Sequence, residues 1–205
     1  MVIPLDSKAD PFGVNGNRKN SKGSQPLLHQ RGDEIQEFGT VRLFPIALAH
    51  DARTESCRIL NQILADSMVL YAHYKKHHWL VRGHTFYQLH LLLDKHAEEQ
   101  TALIDMIAER IQTLGGIAVG DPRHASELTS ISRPPDGCEP VPAMLSRLLE
   151  DHETILIKAR DGVTRTAETR DDGTNDMLMG DVIRTHEMQV WFIAEHLVAT
   201  PLVKA

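Results

Sequence analysis

Apolar and aromatic side chains recur at helical spacing in four long stretches that follow residue 50. The stretches cover residues 52–80, 85–114, 141–168 and 174–198. Repeats at intervals of three and four residues place side chains on one face of a helix. Representative positions are Leu60, Ile63, Leu64, Tyr71 and Tyr74, then Phe86, Leu89, Leu93, Leu103, Ile107 and Leu114, then Met144, Leu148, Ile155 and Ile157, and finally Leu178, Ile183, Trp191 and Leu197. The pattern predicts four long amphipathic helices and no strands in this region.

Glycine and proline separate these predicted helices. Gly83 interrupts the pattern after the first helix, and Gly115 with Gly116 ends the second. The connection 117–138 contains several helix breakers around a short predicted helix at 124–129, and 172–174 predicts a turn before the fourth helix. Small up-down bundles do not need so long a connection. The sequence therefore predicts an all-α, ferritin-like four-helix bundle with a short extra helix in the long connection between helices two and three.

We expect the chain to divide into three parts. Residues 1–45 carry many glycines and prolines and few apolar side chains, which is typical of an extended, partly mobile N-terminal tail. Residues 46–198 form the bundle, and residues 199–205 form a short C-terminal tail. A chain of 205 residues suits one domain with a tail better than two domains.

The charge balance and the cysteine content restrict the functions and the compartment that we expect for this protein. The 22 basic residues are outnumbered by 28 acidic ones, which excludes a predominantly basic nucleic-acid-binding body. Two cysteines without CxxC spacing fit a reducing compartment. No stretch reaches the ~18 apolar residues of a membrane span, and the N-terminus lacks the apolar core of a secretory signal. We therefore expect a cytoplasmic protein with no membrane partner.

The second predicted helix carries two pairs of metal-binding side chains. His90 and Asp94 are four residues apart, and so are Asp105 and Glu109, so each pair points from one helix face. At ~100° per residue, the eleven steps from Asp94 to Asp105 make about three turns and leave both pairs on nearly one stripe. Because the rise is ~1.5 Å per residue, these two aspartates lie about 16 Å apart. One chain therefore cannot close a site from both pairs.

Two copies of this helix, packed antiparallel about a twofold axis, could close it. The midpoint between His90 and Glu109 coincides with the midpoint between Asp94 and Asp105, at residues 99 and 100. His90 would therefore face Glu109 of the partner subunit, and Asp94 would face Asp105 of the partner subunit. His78, at the end of the preceding helix, would approach His90 within its own chain. Two imidazoles and three carboxylates suit iron and stabilise Fe³⁺ after oxidation.

Each ligand taken alone has a simpler explanation. An acidic pair such as Asp105 and Glu109 is usually a solvated helix face, and Glu109 could form an ion pair with the adjacent Arg110. A lone histidine such as His90 is more often a hydrogen-bonded interface residue. The shared midpoint of His90 with Glu109 and of Asp94 with Asp105, together with the nearby His78, favours the metal site over these alternatives.

The sequence around these residues resembles the Dps family, the DNA-binding proteins from starved cells. The resemblance covers roughly residues 55–198. It rests on His77-His78-Trp79-Leu80-Val81-Arg82-Gly83, on Phe86, Leu89-His90 and Asp94, on Asp105-Met106-Ile107-Ala108-Glu109-Arg110, and on Leu114-Gly115-Gly116. All five positions that the family uses at its ferroxidase centre hold suitable residues here, namely His78, His90, Asp94, Asp105 and Glu109.

The resemblance implies a ferroxidase that stores iron. It implies a hollow homo-dodecamer with two iron ions at each dimer-interface site, where Fe²⁺ is oxidised by hydrogen peroxide in preference to dioxygen. The ferric mineral is kept in the cavity, and DNA is protected from oxidative damage. Trp79 and Trp191 match aromatic positions near the family's centre, although apolar packing explains both as well.

The turn at residues 171–176 resembles the family segment that lines acidic pores at threefold axes. Asp176 is the best match, and a ring of such carboxylates would attract Fe²⁺. Asp171 and Asp172 could line the same pore, but helix capping explains them without one.

Two features stay open at this level. Residues 1–32 carry five basic against two acidic side chains, so weak non-specific DNA binding through the N-terminal tail is possible in a bacterial nucleoid. His73, His77, His96 and His186 receive no ligand assignment, and hydrogen bonding at the surface or in the core is the expected role. His77 lies beside the predicted centre and could tune it.

Three rival functions differ from this one in the sequence features that they need. A ferritin or bacterioferritin holds its diiron site inside one bundle and needs Glu-x-x-His on two helices, a motif that this chain lacks. A zinc protease needs His-Glu-x-x-His, which neither His152-Glu153 nor His186-Glu187 continues. A structural nucleoid DNA-binding protein with an incidental metal site remains the alternative.

Overall fold

The computed structural model describes residues 25, 26, 30 and 32–199. The bundle consists of α1 (His50–Leu80), α2 (Phe86–Thr113), the short α3 (Pro122–Leu128), α4 (Val141–Glu168), and a fourth rod that begins with α5 (Asp172–Met177) and ends with α6 (Arg184–Ala194). The described residues contain no strand. The predicted all-α bundle with a small helix in the long connection is confirmed. Most of the predicted N-terminal tail and residues 200–205 lie outside the described part.

Side-chain pairs along the helices define the bundle's connectivity. Arg53 near the start of α1 donates to the Leu114 carbonyl after α2, so α1 and α2 are antiparallel. Lys158 of α4 reaches Asp66 of α1, and Gln100 of α2 reaches Gln189 of α6. The core between them is lined by Leu60, Leu64, Ile107, Ile111, Leu148, Ile155, Leu178, Val182 and Ile193. Asp66 pairs with Lys158 and His73 with Asp151, so α4 is antiparallel to α1. Helices α2 and α4 therefore run parallel, which explains the long connection between them.

The end of α2 shows how closely glycine sets a helix boundary. The Gly116 amide donates to the Ile111 carbonyl, and the Gly115 amide donates to the Gln112 carbonyl. This pair of bonds is a Schellman motif, which needs a left-handed residue at Gly115, and its φ is +88°. A Cβ at Gly115 would also lie 2.5 Å from the Arg42 carbonyl oxygen. The glycines that were predicted to end α2 therefore also leave room for the chain segment that precedes α1.

The fourth rod differs from the continuous helix predicted at 174–198. It begins at Asp172, and a π-helical turn spans Leu178–Ile183 before α6. Leu178, Val182 and His186 are all buried at intervals of four, a spacing that drifts by ~40° per step in an α-helix. The wider π turn keeps such a series on one face. The predicted fourth helix is present, but the sequence did not predict its π turn, because the apolar positions alone do not reveal an i to i+5 ladder.

One predicted core position in the third helix is also wrong. Ile157 is 63% exposed, whereas Ile155 is fully buried. Two residues span ~200° of an α-helix, so these two side chains must point in nearly opposite directions. None of the helices in the described part of the chain is long and apolar enough to cross a bilayer.

The buried carboxylate of Asp66 holds the connection between α2 and α4 against the bundle. Asp66 is fully buried and accepts hydrogen bonds from the Thr129 hydroxyl at 2.8 Å, the Ser130 amide at 2.7 Å and the Lys158 ammonium at 2.7 Å. Charge-assisted bonds of this kind are strong, and removing one partner leaves the others desolvated. Asp66 therefore links α1, α4 and the segment after α3.

Substituting Asp66→Asn should lower the free energy of unfolding by about 2 kcal/mol, because the amide keeps an acceptor for Thr129 and Ser130 but leaves Lys158 without its anion. The measurement is urea unfolding at one protein concentration. The control is Asp161→Asn, whose exposed pair with Arg165 should change stability by less than about 0.5 kcal/mol. Equal stabilities for both variants would contradict the role given to Asp66.

Candidate metal centre

His78 and His90 meet where α1 turns into α2. Gly83, with φ +102°, lies in the turn that brings them together. The two rings stack with centroids 3.8 Å apart. Nδ1 of His78 lies 2.8 Å from the His90 carbonyl oxygen, and Nδ1 of His90 lies 3.0 Å from the His78 carbonyl oxygen.

This reciprocal pairing sets the tautomer of both rings. A carbonyl oxygen can only accept, so each Nδ1 carries the proton and donates it. In the neutral rings each Nε2 therefore has a lone pair, which is the form in which histidine binds a metal. The Nε2 of His78 points towards Asp94, whose Oδ1 lies 3.9 Å away.

Lys75 holds the carboxylate of Asp94 in this structure. Its ammonium lies 2.5 Å from Asp94 Oδ1 and joins the two helices one turn before His78. The hydrogen bond from Lys75 keeps the pKa of Asp94 below its usual range, because its effect outweighs the desolvation that would raise this pKa. Asp94 is therefore ionised and already compensated by a cation of its own chain.

Asp105 and Glu109 lie farther along α2 and are exposed. Among the described residues, no three His, Cys, Asp or Glu side chains come together in a way that could hold a metal ion. Within the single chain His78, His90 and Asp94 lie near one another without forming a metal-binding group, and Asp105 and Glu109 lie apart from them. The role of all five as ligands stays a prediction.

The same face of α1 and α2 exposes large apolar side chains. Tyr87 and Leu91 adjoin His90 on α2 and are 69% and 50% exposed. Trp79, next to His78, is 71% exposed. Contiguous exposed apolar residues of this size are typical of a surface that packs against another protein. Each lies within one helical turn of His78 or His90 in the chain.

Asp171, Asp172 and Asp176 lie at the N-cap, at the first residue and near the end of α5, respectively. Asp171 is buried, caps α5 through the Thr174 amide and pairs with Arg110 at 2.6 Å. Burial alone would raise the pKa of Asp171, but hydrogen bonds from Thr174 and the charge of Arg110 outweigh it and lower the pKa. Asp171 is thus a capping residue, whereas Asp172 and Asp176 are exposed. Arg110 pairs with Asp171 in this structure, instead of forming the ion pair with Glu109 considered from the sequence.

The unassigned histidines lie inside the bundle, which the sequence did not make evident. His73 bonds to Asp151 at 2.7 Å, His96 to Tyr74 at 3.2 Å, and His186 to His152 at 2.8 Å. The core hydrogen bonding expected for His73, His96 and His186 is confirmed. His77 is fully buried with neither ring nitrogen bonded, and desolvation lowers its pKa to about 4. Helical spacing at these positions could have indicated burial, but not the partners.

Comparisons with known proteins agree with this fold. Residues 57–203 match the family model described as a ferritin-like domain. The structure of DpsC from Streptomyces coelicolor superposes with a TM-score of 0.83 at 64% identity, covering 84% of this chain and all of that one. A Dps protein from Vibrio cholerae, described as a member of a superfamily of ferritin-like diiron-carboxylate proteins, superposes with a TM-score of 0.71 at 26% identity over 80% of this chain and 99% of that one. DNA protection during starvation protein 2 from Bacillus anthracis is 30% identical over 68% of this chain and 94% of its own length.

Proposed function

The chain belongs to the Dps family of ferritin-like proteins, and from this premise we propose that it oxidises Fe²⁺ at a dinuclear site shared between two subunits and stores the ferric product. The ligands are His78, His90 and Asp94 of one chain with Asp105 and Glu109 of the partner subunit. The observation that carries the proposal is the reciprocal pairing of His78 and His90, which prepares both Nε2 atoms to bind a metal beside an ionised Asp94.

Each proposed ligand of this chain has a distinct role at the site. His78 and His90 supply nitrogen donors whose direction is fixed by their Nδ1 bonds. Asp94 supplies an anionic oxygen once Lys75 has withdrawn, so Fe²⁺ replaces an internal cation and no isolated charge is left behind. The exposed Asp105 and Glu109 add two more anionic oxygens when the subunits associate, and these stabilise Fe³⁺.

Hydrogen peroxide is the proposed oxidant. Two Fe²⁺ ions together supply the two electrons that break its O–O bond, two protons are taken up, and the products are two Fe³⁺ and two water molecules. Because both electrons arrive together, no hydroxyl radical is released. The Fe³⁺ is stored as a mineral in the cavity of a homo-dodecamer, and oxidative protection of cytoplasmic DNA follows from the same reaction.

Stopped-flow absorbance of Fe³⁺ formation tests this function. The whole protein, mixed with increasing Fe²⁺ and excess peroxide, should show a rapid phase whose amplitude saturates near two Fe²⁺ per chain. A purely structural DNA-binding protein with an incidental metal site predicts the slow rate of iron and peroxide without protein. Absence of the rapid phase at every ratio would reject the ferroxidase function.

Asp176 gives a prediction about iron entry. If its exposed carboxylate lines an acidic pore of the shell, Asp176→Asn should slow Fe²⁺ uptake severalfold at low ionic strength and weaken the dependence of the rate on salt. The matched control is Asp136→Asn, an exposed aspartate in the connection before α4 that has no proposed role in the pore. Uptake rates are followed by stopped flow on shells whose assembly is verified. Unchanged kinetics at low salt would remove the pore assignment.

Weak DNA binding is the second candidate function, and the basic surplus of residues 1–32 favours it. A surplus of three charges on one tail binds weakly, but many tails on one shell act together through their effective concentration. Deleting residues 1–32 should therefore weaken DNA binding at least tenfold in a gel-shift assay at low salt. If the truncated shell binds as tightly as the whole protein, the tail is not the DNA contact.

A further inference from the structure

Glu109 and Arg110 are consecutive residues of α2, but their side chains are placed differently. Glu109 is exposed and belongs to the proposed iron site, whereas Arg110 pairs with Asp171 at the start of the fourth rod. Consecutive Cα atoms are ~3.8 Å apart, so the long side chain of a free arginine can fold back to the neighbouring carboxylate. Such an ion pair would occupy the anionic oxygens that iron needs. The contacts that hold Arg110 away from Glu109 therefore bear on the site.

Three contacts fix the Arg110 guanidinium on the fourth rod. Its Nη2 donates to Asp171 Oδ1 at 2.6 Å, and its Nε donates to the Thr174 hydroxyl oxygen at 3.0 Å. The third contact is with the backbone of Gly173, where an added Cβ would lie 2.9 Å from Arg110 Nη2. The missing side chain of Gly173 thus leaves the space that the guanidinium occupies.

The carboxylate of Asp171 is itself held in place. Its side chain is 1% exposed and accepts hydrogen bonds from the Thr174 amide at 3.1 Å and the Thr174 hydroxyl at 2.6 Å. A buried carboxylate is unfavourable unless a cation compensates its charge, and Arg110 supplies that cation. Both members of the pair are therefore fixed, and the guanidinium is directed at the fourth rod.

We propose that Asp171 is a positioning residue of the iron site, which holds Arg110 on the fourth rod and so leaves the Glu109 carboxylate free to bind Fe²⁺. The inference rests on the proposed function. With the pair intact, Arg110 and Asp171 together add no net charge beside Glu109. Without the charge of Asp171, the guanidinium either pairs with Glu109 or repels the Fe²⁺ that Glu109 binds. Both effects lower the affinity for Fe²⁺ without removing a ligand.

Helix capping alone does not account for this arrangement. The cap of α5 needs one side-chain oxygen that accepts from the Thr174 amide, which an asparagine or a serine at position 171 would also supply. A cap does not need a buried negative charge, a guanidinium paired with it, or a glycine that makes room for that guanidinium. These three features share one effect, which is to fix the position of Arg110.

The affinity of assembled shells for Fe²⁺ tests this role. Asp171→Asn keeps an acceptor for the Thr174 amide but removes the charge that holds Arg110. We expect the dissociation constant of Fe²⁺, titrated without oxidant, to rise about fivefold, while the maximal rate with peroxide stays within about twofold of the wild type. The rise should shrink at high ionic strength, because salt screens the released charge. The matched control is Glu187→Gln, which breaks an exposed pair between α4 and the fourth rod and should leave the dissociation constant unchanged.

Removing Arg110 as well separates this role from a structural one. The double variant Asp171→Asn with Arg110→Gln has no released charge, so its affinity for Fe²⁺ should return to within about twofold of the wild type. If the ion pair only held α2 against the fourth rod, the double variant would be at least as impaired as Asp171→Asn. If Asp171 acted only at a pore, Asp171→Asn would slow Fe²⁺ uptake but leave the equilibrium affinity unchanged. Either result would overturn the proposal.

Gly173→Ala displaces the guanidinium while both charges stay in the chain. Gly173 lies within α5, where alanine favours the helix, but the new Cβ would lie 2.9 Å from Arg110 Nη2, so the arginine must move. We expect the dissociation constant of Fe²⁺ to rise about threefold. If Asp171→Asn does not assemble, this variant decides, and an unchanged affinity would overturn the role of Asp171 alone. Absence of rapid oxidation by the wild type at any iron ratio would instead reject the ferroxidase function itself.

Discussion

Shells built only from chains with His78→Ala, His90→Ala and Asp94→Ala should oxidise Fe²⁺ at least about 100-fold more slowly than the wild type. Loss of an outer-shell partner of a metal typically costs 10–100-fold, so loss of three direct ligands should cost no less. Shells built only from chains with Asp105→Ala and Glu109→Ala should lose activity to a similar extent. Initial rates of Fe³⁺ absorbance with peroxide measure the effect.

His84→Ala is the matched control for these variants. His84 is an exposed histidine in the same turn between α1 and α2, and it makes no described contact with the gathered ligands. Its replacement should leave the rate within about twofold of the wild type. All five proposed ligands lie at or near the surface of the single chain, so the variants should still fold, which circular dichroism verifies. A ligand variant as active as His84→Ala would remove those residues from the site.

Acidification from about pH 6.5 to about pH 4.5 should destabilise the protein by about 4 kcal/mol per pH unit. Desolvation lowers the pKa of His77 and His96 to about 4, that of His186 to about 3, and that of His152 well below its usual value. In the unfolded chain these imidazoles take up protons near pH 6.5, whereas the folded chain resists until a lower pH. The unfolded state therefore binds more protons in this window, and stability falls as pH falls.

Asp151 opposes this trend by at most one proton. Desolvation raises its pKa against the hydrogen bond from His73, so the folded chain takes up that proton first. Urea unfolding at fixed protein concentration and several pH values gives the slope. The double variant His152→Gln with His186→Gln should be less stable at neutral pH but should show about half the slope. A stability that does not change between about pH 6.5 and about pH 4.5 would contradict the neutral, buried state of these histidines.

The bundle was predictable because its main signals are local. The spacing of Leu60 and Leu64 on one helix, and the pair of glycines after Leu114, are readable from neighbouring residues alone. The candidate iron site was predictable for a similar reason, since His90, Asp94, Asp105 and Glu109 share one helix and their spacing alone suggests a twofold partner.

The hydrogen bonds of the buried histidines could not be predicted in this way, because their partners are distant in sequence. His96 and His90 lie six residues apart on α2, yet one is buried against Tyr74 and the other stacks on His78. Only the arrangement of α4 and α6 against α1 brings His152 to the Tyr74 hydroxyl and His186 to His152. The contact of Lys75 with Asp94 across the turn, and the π-helical turn in the fourth rod, likewise depend on packing between helices.

The shared site is the central claim, and mixed shells test it most directly. One chain carries Asp105→Ala and Glu109→Ala, the other carries His78→Ala, His90→Ala and Asp94→Ala, and the two are co-assembled with separable tags that demonstrate mixing. In a mixed dimer the first chain supplies both histidines and Asp94 while the second supplies Asp105 and Glu109, so one site is complete and the other has none of the five ligands. We predict that rapid Fe²⁺ oxidation returns in proportion to the fraction of mixed dimers. A site built within one chain predicts no recovery at any mixing ratio, and that result in demonstrably mixed shells would contradict the shared ferroxidase centre.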